Sequence, residues 1–249
     1  MSALVRSELL KIRTTRGWYA YLTVVVLLVG VAVAGDIGSS PDAERSLLEF
    51  QLGLVDSAGF AALLSIILGI TIVTTEFRHG TITPTFLVEP QRERVVAAKA
   101  AAVSLVAALF ALLALVVAAA VALTWLSIIG ADLHLGDPEI GKRAAQAVLL
   151  GILWGLLGLA IGALVHSQVA ALVGTLIWIF LGETLLLGFF GLLDLDGARA
   201  YLPFQALDGA DGTGGADLLS YWPAVGVSLG WIALLGAAGI VRTQRRDIT

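Results

Sequence analysis

The chain has 249 residues, of which 58% are apolar and only 14% are charged, and its formal net charge at pH 7 is −4. This composition excludes an ordinary soluble domain and is typical of a protein whose solvent is the lipid bilayer. The absence of cysteine excludes disulfides, thiolate metal sites and cysteine nucleophiles.

The segment before the first long apolar run, residues 2–16, alternates basic with apolar positions. Val5, Leu9 and Ile12 fall on one helical stripe, so we predict an interfacial helix whose basic face lies among the headgroups of membrane lipid. Trp18 then marks the headgroup level at the start of the first span.

Six apolar runs are long enough, at ~1.5 Å per residue, to cross or nearly cross the ~30 Å hydrocarbon core of a bilayer. They lie at about residues 17–34, 58–75, 97–126, 144–165, 169–193 and 222–241. We therefore predict an all-α membrane protein in which residues 1–249 form a single transmembrane domain, a bundle of six transmembrane helices.

The distribution of charge predicts the orientation of this bundle. Eleven of the fifteen Lys and Arg residues fall in the N-terminal segment, in the loop after the second span and in the C-terminal tail, whereas thirteen of the nineteen acids fall in the opposite loops. Because basic residues near span ends are retained in the cytoplasm, we predict a protein of the cytoplasmic (inner) membrane with both termini cytoplasmic.

The loop after the second span, residues 76–94, is the most informative part of the chain. It begins with Glu76, Phe77, Arg78, His79, Gly80 and Thr81 and continues as Ile82-Thr83-Pro84-Thr85, followed by a basic cluster. The charge distribution places this loop in the cytoplasm.

Glycines recur in the fourth span at spacings of three and four, at Gly151, Gly155, Gly158 and Gly162. Small residues let helix backbones approach closely in lipid, so these positions predict tight helix packing. The packing partner is either another helix of the same chain, which we favour, or a second subunit.

Glu183 stands inside the fifth apolar run, where a carboxyl group is costly unless it faces a cavity or a partner. One explanation is structural, because Gly182, Gly188 and Gly191 would let the chain bend back as a re-entrant segment before the last span. The alternative is a direct role in the substrate pathway or in proton transfer.

Two apparent ligand sites do not support binding. Residues 136–142 satisfy the pattern G-x-x-x-x-G-K, but Arg143 replaces the hydroxyl residue that would hold magnesium, and acids crowd the loop. The histidines, His79, His134 and His166, lack the spacing that places two ligands on one helix face. We therefore predict no metal site, no catalytic residue and no nucleic-acid partner.

The basic N-terminal helix, the six spans and the E-x-R-x-G-T motif at residues 76–81 together resemble the ABC type-2 permease family, and Tyr201 to Phe204 before the last span are similar to it as well. These permeases are membrane subunits of ATP-binding cassette exporters. The resemblance implies a dimer with a second permease copy or a homologous permease. It also implies two copies of a separate ATPase, which binds the ATP and magnesium, so this chain binds no cofactor of its own.

The same resemblance implies that the loop forms a short coupling helix that docks on the ATPase. Glu76 and Arg78 would then make charge-assisted hydrogen bonds with the partner, and Phe77 would be buried as an anchor. Gly80 would end the helix, and Thr81 would cap the next segment of the chain. Two alternatives remain: the motif merely ends a membrane helix with charged flanks, or the chain is a self-contained secondary transporter or channel, whose usual paired broken spans are not evident here.

Overall fold

The structure, a computed structural model, describes residues 1–15, 17–81, 91–215 and 217–245. All of the described secondary structure is helical. The helices are α1 (Ser2–Thr14), α2 (Gly17–Ser39), α3 (Asp42–Arg45), α4 (Leu48–Asp56), α5 (Phe60–Arg78), α6 (Arg92–Ile128), α7 (Pro138–Val165), α8 (Gln168–Ile177), α9 (Glu183–Leu192), α10 (Asp196–Arg199), α11 (Pro203–Gly209) and α12 (Tyr221–Arg245). A 3₁₀ turn (Ser57–Gly59) joins α4 to α5, and a π-helical turn (Trp178–Gly182) joins α8 to α9.

Six helical segments are long and apolar enough to cross a membrane, which confirms the predicted class of an all-helical, multi-pass membrane protein. They are Gly17–Ser39, Leu48–Arg78, Glu93–Ile129, Pro138–Val165, Gln168–Leu192 and Tyr221–Arg242. Several are longer than the apolar runs from which they were predicted. The 37 residues of α6 would span ~55 Å at 1.5 Å per residue, so this helix projects well beyond the hydrocarbon.

The bundle has two chemically distinct ends. One, here called the basic end, carries α1, the C-terminus of α5, the first turns of α6, the α7–α8 turn and the last turn of α12. The other, here called the acidic end, carries α3, the α6–α7 loop and the segment from α10 to the start of α12. Residues 82–90 of the predicted coupling loop, and Arg16 of the predicted interfacial helix, lie outside the described residues.

The two innermost helices are α5 and α7, which pack on each other more extensively than any other pair of described elements. Gly69 on α5 lies against the carbonyl oxygen of Gly155, and Gly158 on α7 lies against the carbonyl oxygen of Ile66. A Cβ atom at either glycine would overlap the opposite backbone, so no other residue permits this approach. The glycines therefore fix the distance between the two central helices.

The first span, α2, packs on the outside of this pair through one face. Val25, Val29, Val33 and Ile37 recur every four residues, are almost fully buried and belong to one apolar cluster with Phe110 of α6. The remainder of α2 is largely exposed and apolar, as expected for a helix whose outer face contacts lipid. Ile12 of α1 joins the same apolar cluster and Leu9 packs against it, so this part of the apolar stripe faces the bundle.

The fifth span does not bend back at Gly182, so the prediction of a re-entrant segment there is wrong. From Gln168 to Leu192 the chain is helical without interruption. Where the glycines suggested a bend, the helix has a π-helical turn instead. The chain turns back only afterwards, through α10 and α11. Because a continuous helix satisfies its backbone groups largely within itself, it is compatible with lipid, whereas an irregular segment exposed to lipid is not.

Candidate functional site

The C-terminus of α5 lies at the basic end and contains the sequence motif, residues 76–81, here called the coupling segment. Glu76 is buried, Phe77 is partly buried, and the four residues from Arg78 to Thr81 are exposed. Gly80 has φ +67°, the left-handed conformation that favours glycine. The amide of Thr81 donates to the carbonyl of Glu76 and the amide of Gly80 to that of Phe77, which is the Schellman arrangement that ends a helix sharply.

Glu76 belongs to a group of four charges, here called the charge cluster, with the buried Glu8 and Lys99 and with Lys11, whose side chain is 44% exposed. The Lys99 ammonium lies 2.7 Å from Glu76 and 2.8 Å from Glu8, and the Lys11 ammonium lies 2.7 Å from each of the same carboxylates. Glu8, Glu76 and Lys99 are 3%, 6% and 2% exposed. Two acids and two lysines make the group electrically neutral, which is the condition for holding charges away from water.

The charge cluster ties together three segments that are distant in the sequence. Glu8 and Lys11 come from α1, Glu76 from the coupling segment and Lys99 from the third turn of α6. Burial of the Lys11 ammonium opposes its charge, but the carboxylates of Glu76 and Glu8 outweigh this effect and raise the pKa of Lys11 above its ordinary value. The helix α1 is therefore held against the bundle by ion pairs as well as by its apolar stripe.

Sequence reasoning missed three of these four residues. Glu8 and Lys11 carry a local signal, because an acid three residues before a lysine places both on one helix face. Lys99 stands out in the sequence only as part of the basic flank of the third span. Its pairing with Glu8 joins positions 91 residues apart, which nothing in the local sequence indicates.

Phe77 and Arg78 contact the α7–α8 turn of the same chain. The rings of Phe77 and His166 lie 4.2 Å apart between centroids, and Arg78 Nη1 donates to Gln168 Oε1 at 3.4 Å. His166 caps the end of α7 with φ +61°, and its amide donates to Gly162. The Phe77 ring, which was expected to anchor a partner, thus packs in this structure on the chain's own α7–α8 turn.

The surface that remains available around the coupling segment is basic. Arg78 and His79 are exposed on it, whereas Arg6 and Arg13 are exposed on the face of α1 that points away from Glu8 and Lys11. His79 keeps its ring against its own helix, with Nδ1 2.9 Å from the carbonyl oxygen of Thr75. A partner that binds here would meet the cationic Arg78 at a sharply capped helix end.

Glu183, the acid inside the fifth span, is buried and bonded to the backbone. Its Oε1 accepts from the amides of Phe204 and Gln205, at 3.1 and 3.0 Å, in the first turn of α11. These are amides that a helix start leaves without an intrahelical partner. The side chain therefore holds α11 against the fifth span, nine residues, or ~14 Å, before that span ends at Leu192.

The glycine series of the fourth span faces other helices of the same chain. Gly151 and Gly155 lie against Ala107 on α6, and a Cβ at Gly162 would come within 2.9 Å of the carbonyl oxygen of Ile70 on α5. Gly158 makes the close approach to the backbone of α5. The four positions thus line the contacts of α7 with α5 and α6.

The acidic end holds a small cavity of about 290 Å³ next to three carboxylates, Asp56, Asp208 and Asp211. Arg143 lies 3.5 Å from Asp56 and offsets part of their charge. Burial and the neighbouring Asp211 raise the pKa of Asp208 to about 6.

The G-x-x-x-x-G-K sequence at residues 136–142 forms no phosphate-binding loop. Asp137 caps α7 by accepting from the amide of Glu139, and the rest of the sequence lies in the first turns of that helix.

Comparison with known proteins agrees with this architecture. A family model described as "ABC-2 family transporter protein" matches residues 4–183, which include α1, the coupling segment, the charge cluster and Glu183. Among curated proteins, no relative of the chain is found. Since the match covers well over half of the sequence, and six membrane-spanning helices accompany it, the chain belongs to the ABC-2 transporter family.

Proposed function

We propose that this chain is the permease subunit of an ATP-binding cassette exporter, driven by separate ATPase subunits that dock on its coupling segment. The observation that carries this proposal is the position of that segment: it is the exposed, sharply capped end of α5, one of the two innermost helices. A force that a docked ATPase applies at Arg78 and His79 therefore acts directly on α5 in the core of the bundle.

The charge cluster supports this role, because it determines which elements move together. Through Glu76 it joins the end of α5 to α1 and to the start of α6, so the three elements respond to one load as a unit. Glu76 then connects helices within the permease, and the exposed residues that follow it in the chain make the contacts with the ATPase. The proposed partner presents acidic side chains to Arg78, with His79 beside it.

The remaining parts of the proposal depend on the same arrangement. Two ATPase copies bind ATP and magnesium and drive two permease chains, identical or homologous, between two states. Biasing such an equilibrium takes several kcal/mol, which ATP binding at two sites supplies. The basic end lies in the cytoplasm, the chain is in the inner membrane, and the substrate moves outward.

The direct test is capture of an ATP-binding cassette ATPase from the source organism, with the full-length permease as bait in detergent. We expect Arg78→Glu with His79→Glu to weaken capture by at least about tenfold, since both charges then oppose an acidic partner. Lys142→Glu provides a matched control, because Lys142 is an exposed cation at the acidic end. Equal capture by all three proteins would contradict docking at the coupling segment.

A self-contained secondary transporter or channel is the competing function. It predicts substrate flux in vesicles that contain the purified permease alone, with an ion gradient and no ATPase. The exporter predicts no flux until the ATPase and ATP are added. Flux that needs only the gradient would reject the proposal even if an ATPase binds.

A further inference from the structure

A cavity of about 320 Å³ lies between α7, α8, α11 and α12. Its lining is apolar and rich in aromatic rings. Representative lining residues are Leu157, Val165, Trp178, Phe204, Trp231 and Leu235. Two polar groups in the lining are used within the protein: the Thr175 hydroxyl donates to Ala171, and the Trp231 indole donates to the carbonyl of Tyr201.

The cavity extends through the half of the bundle that adjoins the basic end. Val165 is the last residue of α7, and Leu157 precedes it by eight residues, or ~12 Å along the helix. Half of a bilayer's hydrocarbon core is ~15 Å thick, so the cavity matches the depth of one leaflet. Helices α8 and α12 line it but hardly pack on each other, and Trp178 between them is 41% exposed, so the cavity opens sideways toward lipid.

A cationic side chain lies at the basic end of this cavity. Arg242 comes two helical turns after Leu235 and so lies on the same face of α12. Its Nη1 donates to the carbonyl of Leu164, next to Val165, which places the guanidinium where the cavity meets the headgroup layer. The side chain is exposed, and a guanidinium has five donor hydrogens, so further donors are available to a ligand.

We propose that this cavity binds one acyl chain of an anionic phospholipid from the leaflet at the basic end, with the lipid's headgroup paired to Arg242. An acyl chain alone gains little by leaving bulk lipid for an apolar cavity, so selectivity must come from the headgroup. Arg pairs well with phosphate, and a basic residue between transmembrane helices favours anionic headgroups. This site is independent of the proposed ATPase docking, because it involves neither the coupling segment nor the charge cluster.

The tryptophans that line the cavity provide the test. A variant that keeps Trp231 and has the other five tryptophans replaced by Phe is reconstituted into phosphatidylcholine vesicles with a brominated lipid, whose bromine quenches indole fluorescence on contact. Brominated phosphatidylglycerol is compared with brominated phosphatidylcholine at equal mole fraction. We expect about fivefold preferential occupancy by the anionic lipid, lost in Arg242→Gln. A matched variant that keeps only Trp222, 73% exposed at the acidic end, should show no preference.

Equal quenching of Trp231 by both lipids, or a preference that survives Arg242→Gln, would overturn the proposal. Absence of quenching at Trp231 would also overturn it, since a second copy of the chain or another helix would then cover the opening. If the single-tryptophan variants fail to fold, the loss of lipid-selective quenching in Trp231→Phe relative to the wild-type protein makes the same distinction.

Discussion

Glu76 and Glu183 are two buried carboxylates that the protein stabilises in different ways. Glu76 is neutralised by two ammonium groups, whereas Glu183 accepts two backbone amides at the start of a short helix. An isolated charge in either place would be very costly, so each carboxylate requires its partners. The role of each acid therefore follows from its partners: Glu76 joins helices through ion pairs, and Glu183 holds α11 through hydrogen bonds.

The first prediction concerns the charge cluster. Glu8→Gln and Lys99→Met each leave one buried charge without its counterpart, so each should lower the free energy of unfolding by about 3–5 kcal/mol. The double variant leaves the neutral pair Lys11–Glu76, so its loss should be clearly smaller than the sum of the two. Reversible unfolding in mixed detergent micelles measures all three values as a double-mutant cycle.

The exposed pair Lys142–Glu139 at the acidic end is the control for this cycle. Lys142→Met should change the free energy of unfolding by less than about 1 kcal/mol, because water already screens that pair. Strict additivity of Glu8→Gln and Lys99→Met would show that the two side chains do not interact. It would contradict the inference that ion pairs hold α1 against the bundle.

The second prediction separates the two roles considered for Glu183. Both amides are accepted by one oxygen, which the carbonyl of Gln also provides, so Glu183→Gln should retain transport and stability. Glu183→Ala leaves the amides of α11 without an acceptor and should cost about 1–3 kcal/mol. Loss of transport in a stable Glu183→Gln protein, measured in proteoliposomes, would instead assign the carboxyl a direct part in the pathway.

At the scale of helices, the contact of α5 with α7 determines how motion passes through the bundle. Backbones that touch at Gly69 and Gly158 have no flexible side chains between them, so a displacement of one helix is transmitted directly to the other. The coupling segment is the end of α5, and α7 in turn packs on α6 and α12. Contact at a single helix end thus reaches most of the long helices.

The third prediction tests this contact with alanine. Gly158→Ala should destabilise the protein by about 1–3 kcal/mol, because its methyl group would overlap the Ile66 carbonyl and push the helices apart. Gly174→Ala is the matched control, since no atom lies within 4 Å of a Cβ placed there. That change should be neutral or slightly stabilising through helix propensity. Thermal unfolding of both variants measures the difference, and equal effects would argue against backbone contact.

The sequence predicts the helices better than it predicts their partners. Apolar length alone locates the six spans, since the cost of exposing backbone groups to lipid leaves little other choice. The pairing of Lys99 with Glu8, or of Phe77 with His166, depends on how distant segments pack, and local periodicity carries no information about it. The fifth span is ambiguous for a different reason: glycines permit a bend but do not require one.

For the whole molecule, the separation of charge between its ends is the largest-scale feature. The charge cluster, Arg78 and Arg242 belong to one end, and the three carboxylates around the cavity at Asp56 belong to the other. In a membrane, such asymmetry determines which end stays in the cytoplasm. The proposed exporter requires that this be the basic end, because an ATPase and its ATP are available only there.

The fourth prediction tests this orientation directly, and the lack of native cysteine makes single-cysteine labelling free of background. Ser7→Cys places a thiol on the exposed side of α1 with almost no change in shape. Gly136→Cys places one in the exposed α6–α7 loop, where no atom lies within 4 Å of the new Cβ. In intact cells an impermeant maleimide should label position 136 and not position 7, and permeabilised cells should label both. The reverse pattern would put the coupling segment outside the cell, where no ATPase could drive it, and the exporter proposal would fail however well the bundle resembles its family.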